Sequence, residues 1–244
     1  MIAQMRAELL KIRSTRTAIG MALGMIALIL LFSLLSGLLT EPSSLTSTED
    51  QRGLLGVGSI AGVFSALAGI MLVTSEYRFG TIRPTFLCTP RRSRVVGAKL
   101  AAGLLAGLLF GIVGEGLGFA IGYACLAGRG LSYALNGGQT ALLLLGTVAV
   151  VALWGALGVG IGMVVRNQVV AIIGLLAWAF VAENLLFAFV PSVGRFAPAH
   201  ASDALMGFTT SHFLPAAAAG ATLVAWTIAF AFAAIGLVAN RDVN

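Results

Sequence analysis

The sequence predicts an all-α membrane protein of six spans, and three observations carry that prediction. Of the 244 residues, 59% are hydrophobic and 10% charged, with a mean hydropathy of +1.00. A soluble domain carries about 25% charged residues, so 15 basic and 9 acidic side chains cannot clothe a water-facing surface of this size. The charges are also clustered, and the gaps between clusters suffice to cross ~30 Å of hydrocarbon, which takes ~20 helical residues. Two cysteines exclude a disulfide scaffold, and the apolar content excludes disorder. A basic nucleic-acid groove needs a polar surface around it. The net charge of +6 is therefore read as membrane topology, with the lipid bilayer as the surroundings and no nucleic acid as partner.

The elements follow in chain order. In 2–16, Ile2, Met5, Leu9 and Ile12 form one stripe, with Gln4, Glu8, Lys11 and Thr15 opposite and Arg6 and Arg13 at its edges. That pattern predicts an amphipathic helix lying in the membrane interface. The first span, 17–39, fills the uncharged gap from Arg16 to Glu41. It exceeds a signal-peptide core of ~7–15 residues, and Leu38-Leu39-Thr40-Glu41 offers no small-x-small cleavage site, so the span is expected to be retained. The second, 54–75, lies between Arg52 and Glu76, and the third, 99–127, follows Lys99 and contains one charge, Glu115. Between Arg129 and Arg166, Asn136-Gly137-Gly138-Gln139 reads as a turn, which leaves 140–165 for the fourth. The fifth, 168–190, contains Glu183 and stops at Pro191; the sixth is 213–239. Pro191, Pro198 and Pro215 cut the intervening 191–212 into short pieces, as a re-entrant hairpin requires. Ser202-Asp203 reads as the cap of a short helix from Ala204 to Phe208.

Six spans place both termini on one side. Arg6, Lys11, Arg13, Arg16, Arg78, Arg83, Arg91, Arg92, Arg94, Lys99, Arg166 and Arg241 fall on that side, against Arg52, Arg129 and Arg195 opposite. The bias predicts a multi-pass protein of the cell membrane with both termini cytoplasmic. Cys88 and Cys125 then lie on opposite sides and cannot pair within one chain.

The segment 76–98 mixes Tyr77, Phe79, Ile82, Phe86 and Leu87 among its basic residues, unlike a solvated linker. Gly80 permits a sharp bend, and Thr89-Pro90 reads as the N-cap and first residue of a helix leading into the third span. The mixture suits a docking surface for a protein, or a basic loop lying on anionic lipid.

At this point the sequence resembles the membrane subunits of ATP-binding-cassette exporters, in their small six-span type-2 permease class. The resemblance is carried by Glu76…Gly80-Thr81…Pro90-Arg91-Arg92…Lys99, by the basic start Glu8-Leu9-Leu10-Lys11-Ile12-Arg13-Ser14, by Glu183-Asn184-Leu185-Leu186…Pro191, and by Asn240-Arg241-Asp242-Val243. It spans essentially the whole chain; each motif is loose, and their order supplies the specificity. It implies that the loop after the second span forms a coupling helix seated in an ATPase subunit, with Glu76, Arg78, Gly80, Thr81, Arg83, Pro90, Arg91 and Arg92 as coupling residues. It further implies that 191–212 re-enters the outer leaflet, and that the transport path forms between two permease copies or paralogues. Two separate ATPase subunits would carry ATP and Mg.

The chain itself lacks a phosphate loop, which needs a lysine followed by Ser or Thr. Lys11 precedes Ile12 and Lys99 precedes Leu100, and there is no other lysine. No Ser-His-Asp set, His-Glu-x-x-His or cysteine cluster is present either, so the chain is expected to be no enzyme and to carry no cofactor of its own.

Glu115 and Glu183 are the carboxylates inside the predicted spans. Each lies 16 residues beyond its flank (Lys99 and Asn167), ~24 Å deep at 1.5 Å per residue. Gly103, Gly107 and Gly111 form a row that Glu115 continues, and such small-residue seams pack against helices. Glu115 is therefore expected to face protein, as a polar contact in the transport path or dimer interface, or as an interhelical hydrogen bond to Ser, Thr or Trp. For Glu183 the resemblance favours a structural or gating role beside the outer segment. His200, Asp203 and His212 have no metal-ligand spacing, and Trp154, Trp178 and Trp226 read as packing residues. Two other classes fit the composition. One is an ion- or proton-coupled secondary transporter using Glu115 and Glu183, although no inverted repeat is evident. The other is a membrane scaffold without transport.

Overall fold

The computed structural model describes residues 16–81 and 92–240. Among these the regular structure is entirely helical, and six helices are long and apolar enough to cross a membrane: Thr17–Leu39, Thr48–Arg78, Ser93–Gly128, Gly137–Val165, Gln168–Phe189 and Ala216–Leu237. The chain is a polytopic all-α membrane protein. The interfacial stretch 2–15, the residues 82–91 with Arg83, Cys88, Thr89-Pro90 and Arg91, and the end from Arg241 lie outside the described residues, as does the Arg92 side chain. Six crossings return the chain to the side where it began, termed the terminal side below.

Three helix bounds differ from expectation, each for a local reason. The second span starts at Thr48, because Ser47 is extended and its hydroxyl accepts the Asp50 N–H at 3.1 Å, while Glu49 and Asp50 sit favourably in the first turn. It runs as Thr48–Leu55, a 3-10 stretch Gly56–Ile60, and Ala61–Arg78, so Arg52 and Glu76 are helical rather than flanking. The third starts at Arg92, which puts Lys99 about two turns inside the helix. In the fourth, Asn136 and Gln139 form a reciprocal capping box, each side chain accepting the other's N–H at 2.9 Å. Asn136–Gln139 is therefore the helix start, not a turn.

Spans two, three and four form the buried centre, with spans one, five and six at the periphery. Their contact is backbone on backbone. A Cβ at Gly158 would strike the Ala66 carbonyl, and one at Gly103 would lie 2.8 Å from the Gly155 carbonyl. The row Gly103, Gly107, Gly111 thus seats on the fourth span, where small residues allow close approach. Span one packs mainly on span three, and span six mainly on span four.

Candidate functional site

The terminal-side ends of spans two and three meet through a buried ion pair. Glu76 lies in the last turns of Ala61–Arg78, and Lys99 Nζ donates to its Oε1 at 2.8 Å. Lys99 is 0% and Glu76 5% exposed. From sequence, Arg78, Arg83, Arg91 and Arg92 surround Glu76; Arg83, Arg91 and the Arg92 side chain lie outside the described residues, and among those described Lys99 reaches Glu76, because the third helix starts early enough to carry that lysine to its level. Arg78 instead points outward over the Phe79 ring at 5.6 Å. Phe79 is 71% exposed, and Gly80 turns the chain through a left-handed φ of 71°. Arg78, Phe79, Gly80 and Thr81 form an exposed cationic and aromatic turn directly outside the ion pair.

Arg166 closes this end from the other side. It sits at φ 59°, a left-handed conformation unusual for a residue with a Cβ, and its N–H caps span four on the Gly162 carbonyl at 2.9 Å. Its guanidinium lies 5.5 Å from the Tyr77 ring centre and donates to the Leu237 carbonyl at 3.1 Å. One arginine thus joins spans two, four and six. Its pattern in sequence is a lone topogenic charge, which gives no sign of that role.

Glu115 is 1% exposed, packed between the 3-10 stretch of span two and Thr147 of span four. The Thr147 hydroxyl donates to Leu143 O at 2.8 Å and lies beside the Glu115 carboxyl. Of the expected partner types, Thr is the one the fold brings to it.

Glu183 has a different task. Pro198 and Ala197 begin the helix Pro198–Leu205, and Ala197 has no side chain to cap it. Glu183 supplies the cap from span five: its Oε2 accepts the Ala199 N–H at 2.6 Å, where a carboxylate also meets the helix dipole. Ser202 and Asp203 lie inside this helix and not at the start of one over 204–208. Ser202 Oγ donates to Pro198 O at 2.7 Å and accepts Trp154 Nε1 at 2.8 Å. Trp226 Nε1 donates to Phe196 O at 2.8 Å. Trp154 lies ~25 Å and Trp226 ~15 Å along their helices from the far side, so residues 196–202 sit well below the ends of spans four and six. Both tryptophans, expected as packing residues, tether this segment.

Arg52 and Arg129, expected as exposed topogenic charges, also hold carbonyls. Arg52 is buried and donates to Met206 O at 3.2 Å. Arg129 donates to Gly37 O at 2.8 Å and Thr40 O at 2.7 Å, closing the end of span one. The His200 ring packs on Phe187 with centres 4.2 Å apart, and burial pushes its pKa down. No three His, Cys, Asp or Glu side chains gather as a metal centre among the described residues.

Removing the cap has a local consequence. Glu183→Leu leaves the Ala199 N–H without its acceptor, at a cost of about 1–3 kcal/mol. Hydrogen exchange should speed up across Pro198–Leu205 while spans two to four keep their protection. Unchanged exchange there would show that the tryptophan and arginine tethers seat the helix without Glu183.

No protein-family model matches the chain and no curated protein matches it. The likeness to permeases accordingly stands on the sequence motifs.

Proposed function

We propose that this chain is the permease subunit of an ATP-driven exporter of the cell membrane, with both termini cytoplasmic. It works beside a second copy or paralogue and is coupled to two separate ATPase subunits that bind ATP and Mg. The observation that carries this reading is the Glu76–Lys99 pair directly behind the exposed turn of Arg78, Phe79, Gly80 and Thr81. A load on that turn reaches spans two and three together, since the pair ties their ends. Those spans are packed backbone to backbone with span four, so the centre moves as a unit. The positive-inside bias of the Lys and Arg residues puts the turn where a cytoplasmic ATPase would reach it. The absence of a phosphate loop in the chain assigns hydrolysis to a partner.

The lightly buried spans one, five and six leave faces for lipid and for the second permease copy. The ion-coupled reading loses half its support, because Glu183 is engaged as a helix cap. Glu115 lies beside Thr147 instead.

The test uses the double variant Arg78→Glu/Phe79→Ala on the exposed turn. With the chain purified together with its ATPase, the variant should insert and unfold as the wild type does. It should lose most of the bound ATPase and with it ATP-driven transport. Wild-type ATPase binding and transport would remove the turn from the coupling path. ATP binding by the wild-type chain purified alone would overturn the assignment of hydrolysis to a partner.

A further inference from the structure

Arg166 holds a backbone conformation that its residue type disfavours. Spans four and five are joined by Arg166 and Asn167 alone, and Arg166 makes the turn at φ 59°. Among the described residues it is the one non-glycine with a positive φ. A helix end of this kind is usually closed by glycine, because a Cβ is strained in the left-handed region. Glycine would also keep the N–H that caps the Gly162 carbonyl at 2.9 Å. Asn167 has a separate task, since its side chain accepts the Val170 N–H at 3.1 Å and starts span five. What the strain retains at position 166 is therefore the arginine side chain.

The guanidinium stands 5.5 Å from the Tyr77 ring centre and donates to Leu237 O at 3.1 Å. Tyr77 sits in sequence between Glu76 of the ion pair and Arg78 of the exposed turn. Leu237 is in the last turn of span six, where a cation also meets the negative end of the helix dipole. Beside them an apolar cluster gathers Val73 of span two, Val96 of span three, Met163 of span four and Ala234 of span six, with Tyr77 and Ile235 at its edge. Span six is otherwise lightly buried. It rests on span four where a Cβ on Gly160 would lie 2.7 Å from Phe230 Cβ, two turns before Leu237. Its terminal-side end is thus held by an apolar cluster and by one directional bond, and that bond comes from Arg166.

We infer that Arg166 is a positioning residue that makes span six follow the turn of Arg78, Phe79, Gly80 and Thr81. A displacement of the turn moves Tyr77, and the guanidinium packed against that ring carries the Leu237 carbonyl with it. Span six then travels with spans two and three, which the Glu76–Lys99 pair already ties together. The consequence for transport rests on the proposed permease function, whereas the seating of span six by Arg166 concerns this chain alone.

The experiment uses two variants that both remove the guanidinium and differ in the backbone. Arg166→Gly fits the left-handed turn and Arg166→Ala keeps its strain, so the Gly variant should unfold at the higher temperature. With the full chain and its ATPase in lipid nanodiscs, both should bind the ATPase as the wild type does. Both should lose the same severalfold share of transport per ATP hydrolysed, despite their different stabilities. In the full chain alone, hydrogen exchange over 234–237 should rise severalfold in Arg166→Gly, with 159–165 unchanged because the Gly162 cap is kept. Wild-type transport per ATP in Arg166→Gly would overturn the inference. So would transport that tracks the unfolding temperature, low in Arg166→Ala and restored in Arg166→Gly, since Arg166 would then serve the fold alone. Unchanged exchange over 234–237 would show that span six is seated without Arg166, and would overturn it equally. A wild-type chain that supports no ATP-driven transport would instead refute the permease reading, and exchange over 234–237 would then decide the link from Arg166 to span six by itself.

Discussion

Lys99→Met should destabilise the protein by about 3–5 kcal/mol, because it removes the ammonium 2.8 Å from a carboxylate that is 5% exposed. The loss is expected to exceed anything from the exposed arginines Arg78 and Arg94, where surface pairs contribute under about 1 kcal/mol. The second half of the cycle tells stability from function. Lys99→Met/Glu76→Met removes both charges and fills the space with side chains of similar length, so most of the stability should return. If the pair passes motion from the turn to both spans, ATP-driven transport should stay low in the refolded double variant. Full transport in that variant would make the pair a packing device only. A wild-type unfolding midpoint for Lys99→Met would show that solvent screens the pair, contrary to its burial.

The spans were legible because membrane solvent imposes a crude rule on sequence: charges leave the hydrocarbon. The rule fails where a charge is compensated across helices. Arg52, Glu76 and Lys99 were read as membrane edges, yet each lies inside a helix, satisfied by a carbonyl or by one another. No single-helix pattern can show this, since the partner belongs to another element. The row Gly103, Gly107, Gly111, Glu115 was legible because a four-residue period is local to one helix. Asn136-Gly137-Gly138-Gln139 misled for the opposite reason. The residues that make turns also cap helices, and only the reciprocal bonds of Asn136 and Gln139 decide between them.

The site follows the same division. That Glu183 would need a polar partner was readable; that the partner is a backbone N–H of Ala199 was not, because a backbone donor leaves no side-chain signature. The available signal was Pro198 opening a helix after Ala197, a residue unable to cap it. For Trp154 and Trp226, each indole N–H needs a partner, and the sequence could not say that one segment, with acceptors 48 residues after Trp154 and 30 before Trp226, would provide both. Gly56-Val57-Gly58-Ser59 did carry the interruption of span two in its composition, since paired glycines weaken a helix.

Gly158→Val should be the most damaging change at the helix crossings, and it tests whether the centre is one rigid unit. Its Cβ would run into the carbonyl and Cα of Ala66, and none of these atoms can rotate aside as a side chain could. Overpacking a core costs about 1–3 kcal/mol where side chains yield and more where backbone must move, so a loss near the top of that range or beyond is expected. Gly97→Ala is the matched control. It lies in the third-span helix with nothing within 4 Å of its new methyl, and gains helix propensity of ~1 kcal/mol. Denaturation of both variants in the same lipid should therefore give shifts of opposite sign. The crossing of Gly158 on Ala66 lies between the Glu76–Lys99 pair and the level of Glu115 along span two. If it is the fulcrum of the central unit, the smaller change Gly158→Ala should reduce transport even where the variant remains folded, while Gly97→Ala should not. Equal stability of Gly158→Ala and Gly97→Ala would mean that spans two and four can part at little cost, and the centre would then be a set of separately moving helices rather than a lever.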